Sequence, residues 1–292
     1  MVNSKTKKVK LLSPKMDIVF QALFGEEGSE RITKEFLKTI LNEEIIEINL
    51  NQNPILRREN EEEKLGILDL IVRINNIENV DVEMQVVNQD EIKERILFYW
   101  SKLYVKSIKR GESYQKLEKA IVILITDKKI KDLEELEYHT EWKIIEMENR
   151  QKILTDKLEL HIIELDKIEE RTDNKNEKLV DWLMFLKNPE SERVKEKMKE
   201  NESLKEAQEK LEKISEDARM QQLAWWKEKA IYEENTAKQA GYERGLEEGL
   251  EKIKKEKIKI VKNMLKENMS IETISKVTNL DANEIKQIQQ NM

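Results

Sequence analysis

The sequence predicts an α/β protein with a small mixed sheet, followed by a long charged helix. Three observations predict it. Segments of helical period and segments of strand period follow one another in the order helix, hairpin, helix, strand and a later strand. Residues 119–126 (KAIVILIT) form a continuous β-branched run of the kind found in buried strands. After Pro189 the composition turns abruptly to Glu, Lys and Gln.

Residues 1–12 (MVNSKTKKVKLL) read as a flexible basic arm. Ser13-Pro14 reads as a helix start, Ser as N-cap and Pro at the first helical position. Met16, Val19, Phe20, Leu23 and Phe24 follow at helical spacing, and Gly25 marks a stop. Ile32, Phe36, Leu37, Ile40 and Leu41 lie on one face of a second helix. Residues 65–74 (LGILDLIVRI) and 80–87 (VDVEMQVV) read as a β-hairpin, because Asn75-Asn76 between them tolerates turn geometry. A helix from about 91 to 109 carries Ile92, Ile96, Tyr99, Leu103 and Ser107 along one side, and Gly111 ends it. Residues 157–165 (KLELHIIEL) read as a further amphipathic strand, and 179–186 (LVDWLMFL) as a segment packed back on the domain.

Beyond Pro189, Leu204, Ala207, Leu211, Ile214, Ala218, Trp225 and Tyr232 fall on one 3–4 seam, which predicts a long helix or coiled coil. With nothing else in the sequence to cover it, that seam predicts a homo-oligomer assembled through the C-terminal helix. Gly241, Gly245 and Gly249 repeat every four residues on the same helix. Residues 251–262 hold six lysines against two glutamates, the strongest local basic excess in the chain. Residues 270–285 have helix–turn–helix spacing, with Ile271, Ile274, Val277, Leu280 and Ile285 as a small core, Asn279 at the turn and Asp281 as N-cap. Such a unit either reads a DNA groove or serves packing or dimerisation; its second helix has one Lys and no Arg. The expected organisation is a basic arm (1–12), a catalytic-type α/β domain (13–188), a charged helix (189–262) and a small helical unit (263–292).

Composition limits the functions open to the chain. Charged residues make up 39% of the 292, and Gly (7) and Pro (3) are scarce, as suits long helices. The absence of cysteine excludes disulfides, thiolate metal sites and thiol nucleophiles, and fits a cytoplasmic protein. No apolar run is long enough for a membrane span, so no membrane partner is expected. A formal net charge of −7 argues against uniform affinity for DNA over the whole surface, so nucleic-acid contact requires local basic patches.

The hairpin carries the candidate chemistry. Side chains two apart on a strand share a face, so Asp81, Glu83 and Gln85 point the same way. Asp69 stands in an apolar run between Leu68 and Leu70, where a carboxylate is costly to bury without a partner. A hard divalent cation takes oxygen ligands, and Asp69 with Glu83 on the adjacent strand supplies two carboxylates for it. Such an ion activates water for in-line attack on phosphate. Alternating acids on a solvated sheet face are the plainer alternative. The helix after the hairpin interleaves Lys93, Arg95, Lys102, Lys106, Lys109 and Arg110 with Tyr99, Trp100 and Tyr104. This pattern suits a DNA backbone, with Arg95, Tyr99 and Lys102 as candidate contacts, or else aromatics in the core beneath a solvated lysine face. His139, expected in a helix, and His161, in a strand, read as structural.

Five blocks in consistent order, SPKMDIVFQALFG, LGILDLIVRI, NVDVEMQ, ERILFYWSKLY and GESYQKLEKAIVILITD, resemble the bacterial PD-(D/E)xK nuclease family transposases, the Rpn-like recombination-promoting nucleases. The resemblance covers about the first 130 residues. It implies a restriction-endonuclease-like core and a Mg2+-dependent DNA endonuclease, with Mn2+ as the alternative ion, tied to recombination or mobile elements. Asp69, Glu83 and Gln85 occupy the positions of the family's D…ExQ core. On this resemblance Asp69, Glu83 and the backbone carbonyl of Met84 hold the metal, and Gln85 orients the attacking water. Asp17 is the acidic residue of helix one. Gln21 departs from the family pattern, which often has Lys there. The rival function is a non-catalytic DNA-binding or oligomeric scaffold protein that retains the fold.

Overall fold

A computed structural model describes residues 10–51, 55–56, 66–67, 70–75, 78–85, 91–169 and 176–292. The chain divides into two compact units, Met1–Trp225 and Trp226–Met292. The first contains a six-stranded sheet in the order β1-β4-β5-β6-β8-β7. Its strands are β1 (Ile48–Asn51), β4 (Leu70–Ile74), β5 (Glu78–Gln85), β6 (Lys119–Thr126), β7 (His139–Trp142) and β8 (Leu158–Glu164). Short β2 (Ile55–Leu56) and β3 (Gly66–Ile67) pair with each other in a separate ribbon. The expected hairpin forms: β4 and β5 are antiparallel, from Leu70 opposite Val82 to Ile74 opposite Glu78, and Asn75 takes a left-handed conformation (φ 50°) at the turn. β5, β6 and β8 are parallel neighbours. Parallel strands need a crossover, and α3 (Ile92–Lys106) lies between β5 and β6 in sequence.

Helices cover both faces of the sheet. On one face α1 (Asp17–Phe24), α2 (Glu30–Leu41) and α4 (Glu177–Lys187) bury Phe20, Phe24, Phe36 and Trp182 against Val80, Val82, Ile121 and Ile123. The rings of Phe24 and Phe36 lie 5.0 Å apart, and those of Phe36 and Trp182 5.6 Å apart. On the other face Ile92, Ile96 and Leu103 of α3 pack on Val122, Leu124 and Leu160. A β-branched strand such as β6 is thus buried on both sides, which is why its sequence runs without polar alternation.

Helix α1 begins at Asp17, three residues after Pro14. Ser13 and Pro14 instead form a preceding turn, closed by the Met16 amide on the Ser13 carbonyl at 3.1 Å. The expected basic arm falls mostly outside the described residues, but Leu11 and Leu12 pack against the core, and the Leu12 amide donates to Ser215 Oγ at 2.9 Å. The expected charged helix of residues 189–262 is instead three helices: α5 (Glu192–Lys197), α6 (Glu202–Glu216) and α7 (Ala218–Lys266). Asn201 caps α6 by accepting from the amides of Ser203 and Leu204, which starts a new helix there. Leu204, Ala207, Leu211 and Ile214 of the expected oligomer seam are buried in the first unit's own core, whereas Trp225 and Tyr232 are exposed. The seam's first half therefore has an intramolecular cover that periodicity alone does not reveal.

His139 lies in β7, not a helix. Its Nε2 meets Nδ1 of His161 at 2.9 Å, and Nε2 of His161 meets Oε1 of Glu159 at 2.8 Å. Lys119 Nζ stands 3.1 Å from Glu159 Oε2, and Lys143 Nζ 3.4 Å from it. Burial works to raise the Glu159 carboxyl, but its bonds with His161 and Lys119 hold it at about 2. Burial, then the neighbouring His161, lowers His139 to about 4.

In the second unit, Val261 of α7 joins Ile274 of α8 (Ile271–Thr278) and Ile285 of α9 (Ala282–Gln290) in a small core. Asn279 ends α8 in a left-handed conformation, and Asp281 caps α9 through a capping box with Glu284. Val277, expected in this core, is 66% exposed; Thr278, one turn beyond Ile274, faces inward instead.

Two outcomes follow from this packing. Leu211→Ala, which removes a fully buried side chain, lowers the unfolding free energy by about 2–5 kcal/mol in urea titration. A seam serving only assembly would leave the stability of the monomeric fold unchanged. His139 stays neutral in the folded chain well below its ordinary pKa of 6.5, so the unfolded chain binds the extra proton. Its contribution is complete above pH 6.5 and erodes as pH falls toward about 4. His139→Phe flattens the fall in stability across that window; an unchanged slope contradicts the assignment.

Candidate metal-dependent active site

The central strand β5 reads ENVDVEMQ, and its alternation divides it between the two faces of the sheet. Val80, Val82 and Met84 belong to the core under α1, α2 and α4. The alternate positions Asp81 and Glu83 lie on the α3 face, where Asp81 is 0% and Glu83 4% exposed. The expected shared face of these two acids therefore holds, but it is a buried face rather than a solvated one. Two carboxylates out of water require compensating charge or hydrogen bonds.

Helix α3 brings such charge. Arg95 Nη2 lies 3.5 Å from Glu83 Oε1. Arg95 Nε also donates to the Tyr99 hydroxyl at 3.0 Å, and its guanidinium lies 5.2 Å from the centre of the Tyr99 ring. Burial, followed by the negative charge of Glu83, raises the Tyr99 phenol above its ordinary range, with Arg95 opposing. Ile92, Ile96, Val122 and Leu124 complete the wall of a narrow cavity at Glu83, of about 10 Å3. That is on the order of one water molecule.

The remaining aromatics of α3 are structural. Trp100 stacks on Tyr104 at 4.9 Å, and its Nε1 donates to the Ala120 carbonyl at 3.1 Å. Lys102 Nζ lies 5.9 Å from the centre of the Phe98 ring, on a partly exposed part of the helix. The α3 pattern is thus mixed: Arg95 and Tyr99 turn toward Glu83, Trp100 and Tyr104 pack, and the other lysines lie nearer solvent.

The start of α1 comes to the carboxyl end of the parallel strands. Lys15 Nζ pairs with Asp127 Oδ1 at 2.7 Å, and Asp127 follows Thr126, the register partner of Gln85. Asp17 occupies the first turn of α1, where its Oδ1 accepts from the Ile18 amide at 2.7 Å. Asp17 and Gln85 are therefore brought to the same end of the sheet. Met84 faces the opposite side from Glu83, with its side chain in the core.

Asp69 and the side chain of Gln85 lie outside the described residues. So does the separation between the Asp69 and Glu83 carboxylates, the distance that decides whether they share an ion. In sequence Asp69 precedes Leu70 as Glu83 follows Val82, and Leu70 and Val82 are register partners. Among the described residues no group of three or more His, Asp or Glu is arranged to hold a metal, the His139–His161–Glu159 chain included. A second, larger groove of about 460 Å3 opens on the α3 face, lined in part by Asn49, Asn51, Arg73, Asn79 and Lys106. Arg73 and Asn79 both bond Glu118, at 2.5 and 2.8 Å.

Sequence reasoning missed the ion pair between Arg95 and Glu83. The available signal was phase: Arg95 lies one turn before Tyr99 and next to Ile96 on the inward stripe of α3. It also missed the burial of Asp81, which shows only once α3 is known to cover that face.

No curated protein and no solved structure matches the chain. No helix among the described residues is long and apolar enough to cross a membrane. The family model described as PD-(D/E)XK nuclease family transposase matches residues 14–241. That span takes in α1, the six-stranded sheet, the crossover helix above Glu83 and most of the charged helices that follow. The match takes in well over half of the chain, whose mixed sheet is flanked by helices, and the chain belongs to the PD-(D/E)XK nuclease family transposases.

Proposed function

We propose that the chain is a metal-dependent DNA endonuclease that hydrolyses phosphodiester bonds in recombination or the movement of mobile elements, with Asp69, Glu83 and Gln85 at its centre. The observation that carries this reading is Glu83 itself: a buried carboxylate on the central strand of a nuclease-family fold, with a cationic side chain from α3 turned onto it. A strand carboxylate with only a surface role would face water.

The donors are oxygen atoms throughout, which suits a hard cation such as Mg2+ or Mn2+. Asp69 and Glu83 would hold it, joined by the backbone carbonyl of Met84. When bound, the ion supplies Lewis-acid polarisation of the phosphate and a lowered pKa for water. The chain's own residues do the rest. Gln85 orients the attacking water through its amide. Arg95 sets a positive charge beside Glu83, and Tyr99 holds the guanidinium in place. Asp17 adds a carboxylate at the start of α1. Lys102, on the partly exposed part of α3, meets the DNA backbone, to which Arg95 and Tyr99 add their outer edges. Contacts of this kind position the duplex without reading its sequence.

Nicking of supercoiled plasmid with and without Mg2+ tests this reading. Asp69→Asn and Glu83→Gln abolish Mg2+-dependent nicking, Gln85→Ala slows it by about 10²–10³, and Asp81→Asn has a mild effect. Wild-type rates in both Asp69→Asn and Glu83→Gln remove the site from consideration. Inactivity of every protein, wild type included, favours a non-catalytic scaffold that keeps the fold.

A further inference from the structure

Helix α7 carries an apolar stripe that its own unit does not cover. Tyr242, Leu246, Leu250, Ile253 and Ile260 are all about half exposed or more, Leu250 reaching 60%. At 3.6 residues per turn these five side chains fall within an arc of about 80°. Val261 lies just beyond the edge of this arc and is taken up in the small core with Ile274 and Ile285. Gly245 and Gly249 flank the stripe, and a Cβ added at either would meet nothing within 4 Å.

The charge on this helix reverses at the middle of the stripe. Residues 233–251 hold six glutamates and two basic residues, whereas residues 252–266 hold seven lysines and one glutamate. A parallel pairing of two such helices sets like charge against like over its whole length. An antiparallel pairing centred between residues 251 and 252 sets the acidic half of each beside the basic half of the other. It also brings Leu250 opposite Ile253 and Leu246 opposite the aliphatic stem of Lys257. Glu247 and Glu248 then flank Lys254 and Lys255 of the second copy. Charge pairing of this kind selects partner and orientation in helical pairs.

We propose that the occupant of this stripe is a second copy of the chain, bound antiparallel through residues 242–260 of α7. The interface differs from the seam at Leu204–Ile214, which is internal to the first unit. It does not depend on the nuclease reading.

The chain contains no cysteine, so introduced pairs report cleanly. Full-length Leu246→Cys and Lys257→Cys proteins are oxidised separately and as a mixture, and the products are weighed by mass spectrometry. In the antiparallel pairing the two residues at position 246 lie about 16 Å apart along the axis, too far for a disulfide. The expected result is a cross-link between the two variants in the mixture and little within either alone. Light scattering of the unmodified protein gives twice the 34.8 kDa of one chain at low ionic strength, with dissociation as salt rises. Leu250→Glu gives the single-chain mass with an unchanged helical circular dichroism signal. Cross-linking of each variant with itself overturns the orientation. A single-chain mass for the unmodified protein at all salt concentrations, with no cross-link in the mixture, overturns the interface.

Discussion

Asp81 and Glu83 sit on the α3 face of β5, buried beside the apolar register partners Ile71, Val122 and Leu124. Stripping two carboxylates of water costs several kcal/mol each unless charge or hydrogen bonds replace it. The fold meets this constraint with α3, which spans the parallel strands β5 and β6 and carries Arg95 to within 3.5 Å of Glu83. The apolar residues of α3 anchor the helix, so the guanidinium is held by packing as well as by attraction. Removing the arginine would take a cationic partner away from a buried carboxylate, which is costlier than losing an exposed pair.

The opposite face of the sheet shows the complementary solution. There the Phe20–Phe24–Phe36–Trp182 cluster fills the space over Val80, Val82 and Met84 and fixes the strand on which the acids sit. Helix α6 extends this layer, because Leu204, Ala207 and Leu211 close against α1 and α2. The pairing of Lys15 with Asp127 then sets the start of α1 against the end of β6. The packing around the carboxyl end of β5 thus draws on segments nearly 200 residues apart in the chain.

Much of this architecture was legible in the sequence for a simple reason: strands buried on both faces lose polar alternation, and half-buried helices keep a 3.6 period. β6, β8 and the β4–β5 hairpin read directly on that basis. β7 did not, because HTEW is short, polar and at the sheet edge, where no core imposes a period; His139 consequently read as helical. The seam at Leu204–Ile214 was visible, but its partner was not, since periodicity identifies an apolar face without saying what covers it. At the site, alternation grouped Asp81 with Glu83, while the ion pair with Arg95 depends on how α3 docks on the sheet, a long-range property. The roles of Asp69 and Gln85 rest on their matching positions in a family motif.

The proposed function requires Glu83 to be a metal-holding carboxylate on a buried face of the sheet. Thermal unfolding with and without millimolar Mn2+ reads this most directly, because an ion that binds only the folded chain raises the unfolding temperature. The expected result is a clear rise for the wild type that is lost in Glu83→Gln, whose own unfolding temperature without metal stays near or above that of the wild type. An equal response of both proteins to Mn2+, or none in either, would contradict it.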